Sequence, residues 1–108
     1  MTQLACRSVA RVLEKDLGLP VAFKRPNDLL VKGRKICGVL VEARGRTNGE
    51  LENLVIGVGL NVNSSPKELV RGATSVRGET GRKQSRAALL KSILNQLKRD
   101  LDGFEGAS

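Results

Sequence analysis

The chain has 108 residues and sets 19 Lys and Arg against 11 Asp and Glu, a formal charge of +8. That length makes one domain at most, and with 40% apolar residues it can bury a modest core but holds no apolar run long enough to span a bilayer. His is absent, and the two cysteines, Cys6 and Cys37, form neither a CxxC pair nor a Cys/His cluster, so zinc sites, disulfide frameworks and His-based catalysis are excluded. The opening residues carry charges throughout and show neither a secretory signal nor a membrane anchor, which makes the cytoplasm the expected compartment.

Leu4, Val9, Val12, Leu13 and Leu17 recur near a 3.6-residue period, with Arg7, Arg11, Glu14 and Lys15 mostly opposite, which predicts an amphipathic helix over 4–17. Thr2 is its expected N-cap, while Gly18 supplies a left-handed stop and Pro20 bars continuation. Val21 to Phe23 and Leu29 to Val31 read as strands, with a Pro26-Asn27-Asp28 corner between them and a Lys32-Gly33 turn after. Ile36 to Val41 is a β-branched and aliphatic run, too short for an independent helix and expected mid-sheet. The polar stretch from Arg44 to Glu50 contains Asn48-Gly49, a dipeptide tolerant of positive φ, and predicts a hairpin to the apolar run from Leu54 to Val62. Ser65-Pro66-Lys67-Glu68 matches a capping box and predicts a short helix ending near Gly72, followed by a basic, glycine-punctuated loop to Lys83. From Ser85 on, Leu90, Ile93, Leu94, Leu97, Leu101 and Phe104 form a helical stripe, expected to dock on the sheet because an isolated helix of that length is marginal in water. Helix, strand meander, short helix and long helix together predict an α+β fold with an antiparallel or mixed sheet.

The positive surplus calls for an anionic partner: nucleic acid, a nucleotide phosphate, a membrane surface or an acidic protein. With Phe23 and Phe104 as the aromatic residues and no Tyr or Trp, no base-stacking platform can be assembled, which counts against single-stranded nucleic acid. Between positions 24 and 35 stand five basic residues (Lys24, Arg25, Lys32, Arg34, Lys35) and one acid, Asp28. Cations held over an apolar strand stabilise negative charge developing on a phosphate or carboxylate far better than they do in water. Singly, each of these residues has a structural explanation: Pro-Asn-Asp as a turn, Lys35 as a solvated edge charge, Gly38 and Gly57 as bulge positions. Gly57-Val58-Gly59 lacks the third glycine of a dinucleotide fingerprint, and no Walker-type loop exists. Cys37 lies in an apolar run with no His partner and reads as a packed hydrophobe, and Arg82, Lys83 and Arg86 read as a solvated face.

In order, the segments KRPND (24–28), KGRKICGVLVE (32–42) and VIGVGLNVN (55–63) resemble the catalytic domain of biotin protein ligases. That family carries a Lys-Trp-Pro-Asn-Asp corner, a Lys-x-x-Gly-x-Leu-x-Glu strand and an Ile-Gly-x-Gly-x-Asn strand; Ala73-Thr74-Ser75-Val76 resembles its later Ala-Thr-Ser-Leu, and the closing helix also matches. The resemblance implies the biotin/lipoate protein ligase fold, class II synthetase-like, and a two-step reaction. Biotin and ATP, with Mg²⁺, give biotinyl-5′-AMP and pyrophosphate; a lysine of a biotin carboxyl carrier protein then attacks the mixed anhydride. It further implies Lys35 at the biotin carboxylate and α-phosphate, Gly38 and Leu40 along the biotin slot, Asp28 assisting proton removal from the carrier amine, and Lys24, Asn27 and Asn61 on the nucleotide side.

Two departures stand against the family pattern. Arg25 replaces the usual Trp, and the Gly-Arg-Gly-Arg loop that lies upstream of the first helix is not among these residues. The resemblance therefore implies the second half of a ligase catalytic domain, carrying part of the site and neither a DNA-binding domain nor a small C-terminal β domain. Such a half-domain is expected to be a poor enzyme by itself and to expose a sheet edge and an apolar face that favour self-association. The alternatives are a catalytically degenerate ligase relative and a basic, non-catalytic module that binds RNA or an acidic protein.

Overall fold

The computed structural model describes residues 1–47 and 50–107. Helix α1 (Thr2–Leu17) forms where the apolar period predicts it and buries Ala5, Cys6, Ser8, Val9, Val12 and Leu13. Its cap is Met1 rather than Thr2, which is the first helical residue, and no side chain caps the end. The other end closes as the sequence requires: Gly18 adopts φ 66°, its N–H donates to the Glu14 carbonyl at 3.0 Å, and the Leu19 N–H donates to that of Leu13 at 3.2 Å. Only a residue without Cβ takes that left-handed turn cheaply, and the following Leu19 is buried, so the stop also fixes the direction of exit.

Four strands follow as an antiparallel meander in the order β1-β2-β3-β4: β1 (Val21–Lys24), β2 (Asp28–Val31), β3 (Arg34–Thr47) and β4 (Glu50–Leu60). The Arg25–Pro26 peptide in the first corner is cis. Lys32 and Gly33 both take positive φ, 52° and 79°, as the two-residue turn of a twisted hairpin demands. β3 occupies the expected central position and runs through the polar stretch to Thr47, where it pairs with Glu50, longer than the apolar run alone predicts. The Asn48-Gly49 turn lies outside the described residues.

The segment after β4 differs from expectation. Ser65 and Glu68 make one of the two predicted capping-box bonds, the Ser65 N–H donating to Glu68 Oε1 at 2.9 Å, but Ser65 Oγ also donates to that oxygen, at 2.8 Å, and the Glu68 N–H goes to the Ser65 carbonyl, so they close a turn and no helix. Few apolar side chains between 66 and 72 could bury a helical face, and the capping bonds alone do not supply one. The short helix is instead α2 (Val76–Thr80), inside the stretch expected to be loop; Ser75 caps it, its Oγ accepting from the Gly78 N–H at 3.0 Å.

Helix α3 (Arg86–Ala107) packs chiefly on α1, a correction to the expectation that it docks on the sheet. Leu89, Ile93 and Leu97 enter the core, whereas Leu90 and Leu94 are 57% and 56% exposed and lie with Ile56, Val58 and Leu60 along an open groove of about 460 Å³. The predicted stripe is thus one residue out of phase at its start. The α1–α3 contact carries a polar clasp: Asp100 accepts from Ser8 Oγ at 2.6 Å, from Arg11 at 2.6 Å and from Gln96 at 3.1 Å. Partial burial pushes the Asp100 carboxyl up, but the bonds from Ser8 and Gln96 and the Arg11 guanidinium outweigh it and hold the group below the ordinary aspartate range. With the folded value depressed, the clasp contributes fully above the unfolded aspartate value of about 3.9 and is lost as pH falls through the lowered folded one. Urea titrations of Asp100→Asn are therefore expected to show lower stability than the parent at pH 7 and a difference that shrinks below about pH 4.

Candidate active site

The outer face of the sheet, away from α1, carries the residues singled out in the sequence. Lys24 pairs with Asp28, Asp28 with Gly38 and Gly38 with Gly59, one row across all four strands. Leu40, two residues along β3, pairs with Gly57 and is 56% exposed. Gly38, Gly57 and Gly59 thus form a trough floored by backbone. A Cβ added at Gly57 would lie 3.7 Å from the Leu40 carbonyl oxygen, and one at Gly59 3.7 Å from that of Gly38, ordinary contacts with open space above.

Lys35 reaches this face only because β3 is irregular. Strict alternation would put Lys35 on the inner side with Cys37 and Val39. The register shifts between Leu29, which faces Cys37, and Leu30, which faces Lys35, so Ile36 is an extra residue. Ile36 and Cys37 are consequently both buried, at 0% and 1%, and Lys35 is re-aimed to the side of Gly38. Its Nζ stands 3.1 Å from Asp28 Oδ1, and its Cε and Nζ lie 3.4 Å from where a Gly38 Cβ would be. Half of the Lys35 side chain is exposed.

The bulge removes Lys35 and Ile36 from regular pairing with β4, and a strap of residues 72–76 takes over. The Lys35 N–H donates to the Gly72 carbonyl at 3.0 Å, and the Thr74 N–H to the Lys35 carbonyl at 2.8 Å, a parallel bridge centred on Ala73. Asn61 donates from its N–H to the Ile36 carbonyl at 3.0 Å and from Nδ2 to the Thr74 carbonyl at 3.1 Å. Thr74 Oγ1 also donates to Glu79, whose carboxylate stands 3.6 Å from Lys32 Nζ.

The structure therefore brings together Lys35, Asp28, Gly38 and Leu40, with Lys24 in the same row. Asn27 meets them through its backbone, its carbonyl accepting from the Val39 N–H at 2.9 Å, and beside it Pro26, Val39 and Leu40 border an open groove of about 560 Å³. Arg25, at the position of the family Trp, is exposed and also borders that groove. Asn61 is joined to Lys35 through the strap. Cys37 is buried, and burial, reinforced by Cys6, pushes its thiol up to about 12, so it stays protonated and is no nucleophile. Among the described residues no three His, Cys, Asp or Glu side chains gather where they could hold a metal. The corner's carboxylate, Asp28, is taken by Lys35, so these side chains do not by themselves make a magnesium site.

Gly59 and the strap lie in segments that the sequence motifs mark, but the motifs assign them no place beside Lys35. Gly59 is legible as the second glycine facing outward on β4, in step with Gly57; the strap is not, because its bonds to Lys35 are made by main-chain atoms of residues nearly forty positions away. Gly38→Val is expected to fold, since that face is open, but to push Lys35 Nζ away from Asp28. Side-chain NMR showing the Lys35–Asp28 contact intact in that variant would contradict this.

The sheet thus presents a cationic, glycine-floored outer face, with the helices on its other side. The biotin/lipoate A/B protein ligase family model matches residues 1–61, and the chain belongs to that family. It is 35% identical over 98 residues to the bifunctional ligase/repressor BirA of Bacillus subtilis strain 168, covering 87% of this chain and 30% of that protein. A biotin–acetyl-CoA-carboxylase ligase of Paracoccus denitrificans is 37% identical over 83 residues, 72% of this chain and 30% of that one. Among solved structures, biotin protein ligase from Aquifex aeolicus in complex with biotin and ATP superposes with a TM-score of 0.78 at 29% identity, over 100% of this chain and 46% of that one. The chain thus spans under a third of the curated relatives it matches and under half of that structure. No helix among the described residues is long and apolar enough to cross a membrane.

Proposed function

We propose that this chain supplies the lysine-bearing half of a biotin–protein ligase site, forming biotinyl-5′-AMP from biotin and ATP and passing biotin to a lysine of a carboxyl carrier protein. The observation that supports this most is the re-aimed Lys35, its ammonium 3.1 Å from Asp28 and over the Gly38 backbone, on the face that a ligand can reach. In the first step a biotin carboxylate oxygen attacks the α-phosphorus and the bond to pyrophosphate breaks. Lys35 draws the two anions together and neutralises charge growing on the phosphoryl oxygens. The Gly38, Gly57 and Gly59 trough admits a flat ring system against backbone, with Leu40 as its apolar flank.

In the second step the carrier amine attacks the acyl carbon and AMP departs. Asp28, once Lys35 has turned to the phosphate, accepts a proton from that amine. Lys24 and Asn27 serve the nucleotide, and Asn61 bears on that side of the site through the strap. ATP brings Mg²⁺ on its own phosphate oxygens, since this ion binds through phosphates and water more than through dedicated side-chain cages. The upstream Gly-Arg-Gly-Arg portion of a ligase domain completes the pocket wall, and the apolar groove between β4 and α3 favours self-association when left open. Sedimentation giving a clean monomer at high concentration would remove that last element.

The test is transfer of labelled biotin to a carrier protein, with the amino-terminal portion of a related ligase supplied. Labelling that requires ATP and releases pyrophosphate stoichiometrically with adenylate is expected. Binding that ignores biotin and ATP but falls steeply with salt would instead mark a basic module for nucleic acid or acidic protein.

A further inference from the structure

The inner face of the sheet is not sealed along its β1 edge. Phe23 of β1 and its partner Leu29 of β2 lie on that face, opposite the Cys6, Arg7 and Ala10 stripe of α1. Cys6 and Ala10 are small, so helix and edge strand leave between them an open cleft of about 310 Å³. Phe23 remains 42% exposed in consequence, although Leu29 beside it is buried. Arg7 and Arg25 border the same cleft. Neither guanidinium has an ion pair or hydrogen bond among the described residues, and none of the described side chains lining the cleft is acidic. Arg25 stands where the ligase pattern has Trp, so a charge takes the place of an apolar wall. We propose that this cleft is a binding site for a small amphipathic carboxylate, its head held by Arg7 and Arg25 and its aliphatic tail laid over Phe23, Leu29, Cys6 and Ala10.

Each part of the cleft selects one part of the ligand. A guanidinium presents its donors in a planar fork that matches the two oxygens of a carboxylate, and such charge-assisted bonds are stronger than neutral ones. With no acid in the cleft to compete, an incoming anion has only water to displace. The ring of Phe23 and the aliphatic carbons around it receive the tail, where each methylene taken from water tightens binding about fourfold. The volume stands at the low end for small-molecule sites, which calls for a short or medium chain. The cleft lies on the opposite side of the sheet from Lys24 and Asp28, so it is separate from the site proposed for the activated biotin.

The test uses hexanoate, titrated into the ¹⁵N-labelled 108-residue chain beside 1-hexanol, which has the tail without the charge, and acetate, which has the head without the tail. Saturable shifts at the amides of Cys6, Arg7, Ala10 and Phe23 are expected, with hexanoate binding about tenfold or more tightly than hexanol and acetate shifting them little. Arg7→Gln combined with Arg25→Gln should erase the difference between hexanoate and hexanol; both side chains are exposed, so this double variant is expected to fold. Ala10→Leu, which fills the cleft from the helix side and keeps both arginines, should weaken hexanoate by about tenfold or more. Should that variant fail to fold, the arginine pair carries the test by itself. Equal affinity for hexanoate and hexanol in the parent chain, or no shift in the cleft, would overturn the inference. So would hexanoate binding that survives the double arginine variant but is lost in Lys35→Met, which would assign the carboxylate to the outer face and leave the ligase reading standing.

Discussion

Replacing Lys35 by alanine should lower biotin adenylation by about 10²–10³-fold while leaving the fold intact, the loss typical when one preorganised donor to a developing oxyanion is removed. The fold is expected to survive because the side chain is half exposed and the main-chain bonds of Lys35 to Gly72 and Thr74 need no atom beyond Cβ. Lys35→Arg keeps the charge but carries a planar, longer head beside Gly38, and should recover only part of the rate. Lys35→Met, nearly isosteric and uncharged, separates charge from packing: a rate as low as that of the alanine variant shows that the ammonium matters. The measurement is pyrophosphate release under single-turnover conditions, which isolates the first step from transfer to the carrier.

The largest effect on stability should come from Leu13→Ala. Leu13 is fully buried on the inner face of α1, in one cluster with Leu29, Val31, Ile36 and Val39 beneath the sheet. Truncation removes its transfer free energy and leaves a cavity that these neighbours cannot all close, a cost of about 3–4 kcal/mol. A domain of this size holds only about 5–15 kcal/mol in total, so the variant should melt at least about 10 °C below the parent. Leu90→Ala, on the open groove, should move the melting point by much less. Equal shifts for the two would show that α3 buries the side that the described fold exposes.

The core half of the fold is legible in the sequence because its signals are local and redundant. The α1 period, Gly18 and Pro20 agree with one another, and Lys32-Gly33 sits between two apolar runs, so helix, stop and hairpin are set by residue chemistry. The errors fall where a local signal lacks tertiary support. Ser65 and Glu68 have the side chains of a capping box but no buried face behind it, and Ser75, which does cap a helix, precedes the buried Val76. On α3 a choice between Leu89 and Leu90 turns on which neighbour the helix meets, and it meets α1, not the sheet centre. The candidate site is legible as residue types but not as geometry. Lys35, Asp28 and Gly38 stand out by motif, yet strict alternation would place Lys35 inward; the consecutive apolar pair Ile36 and Cys37, both buried, is the trace that the bulge leaves in the sequence.

The central claim is that the outer, glycine-floored face beside Lys35 receives the activated biotin. A non-hydrolysable biotinyl-adenylate analogue titrated into ¹⁵N-labelled chain tests it most directly. Saturable shifts at the amides of Lys35, Gly38, Gly57 and Gly59, abolished in Lys35→Met, are the expected result. Shifts confined to the groove between β4 and α3, or undiminished in that variant, would contradict the account.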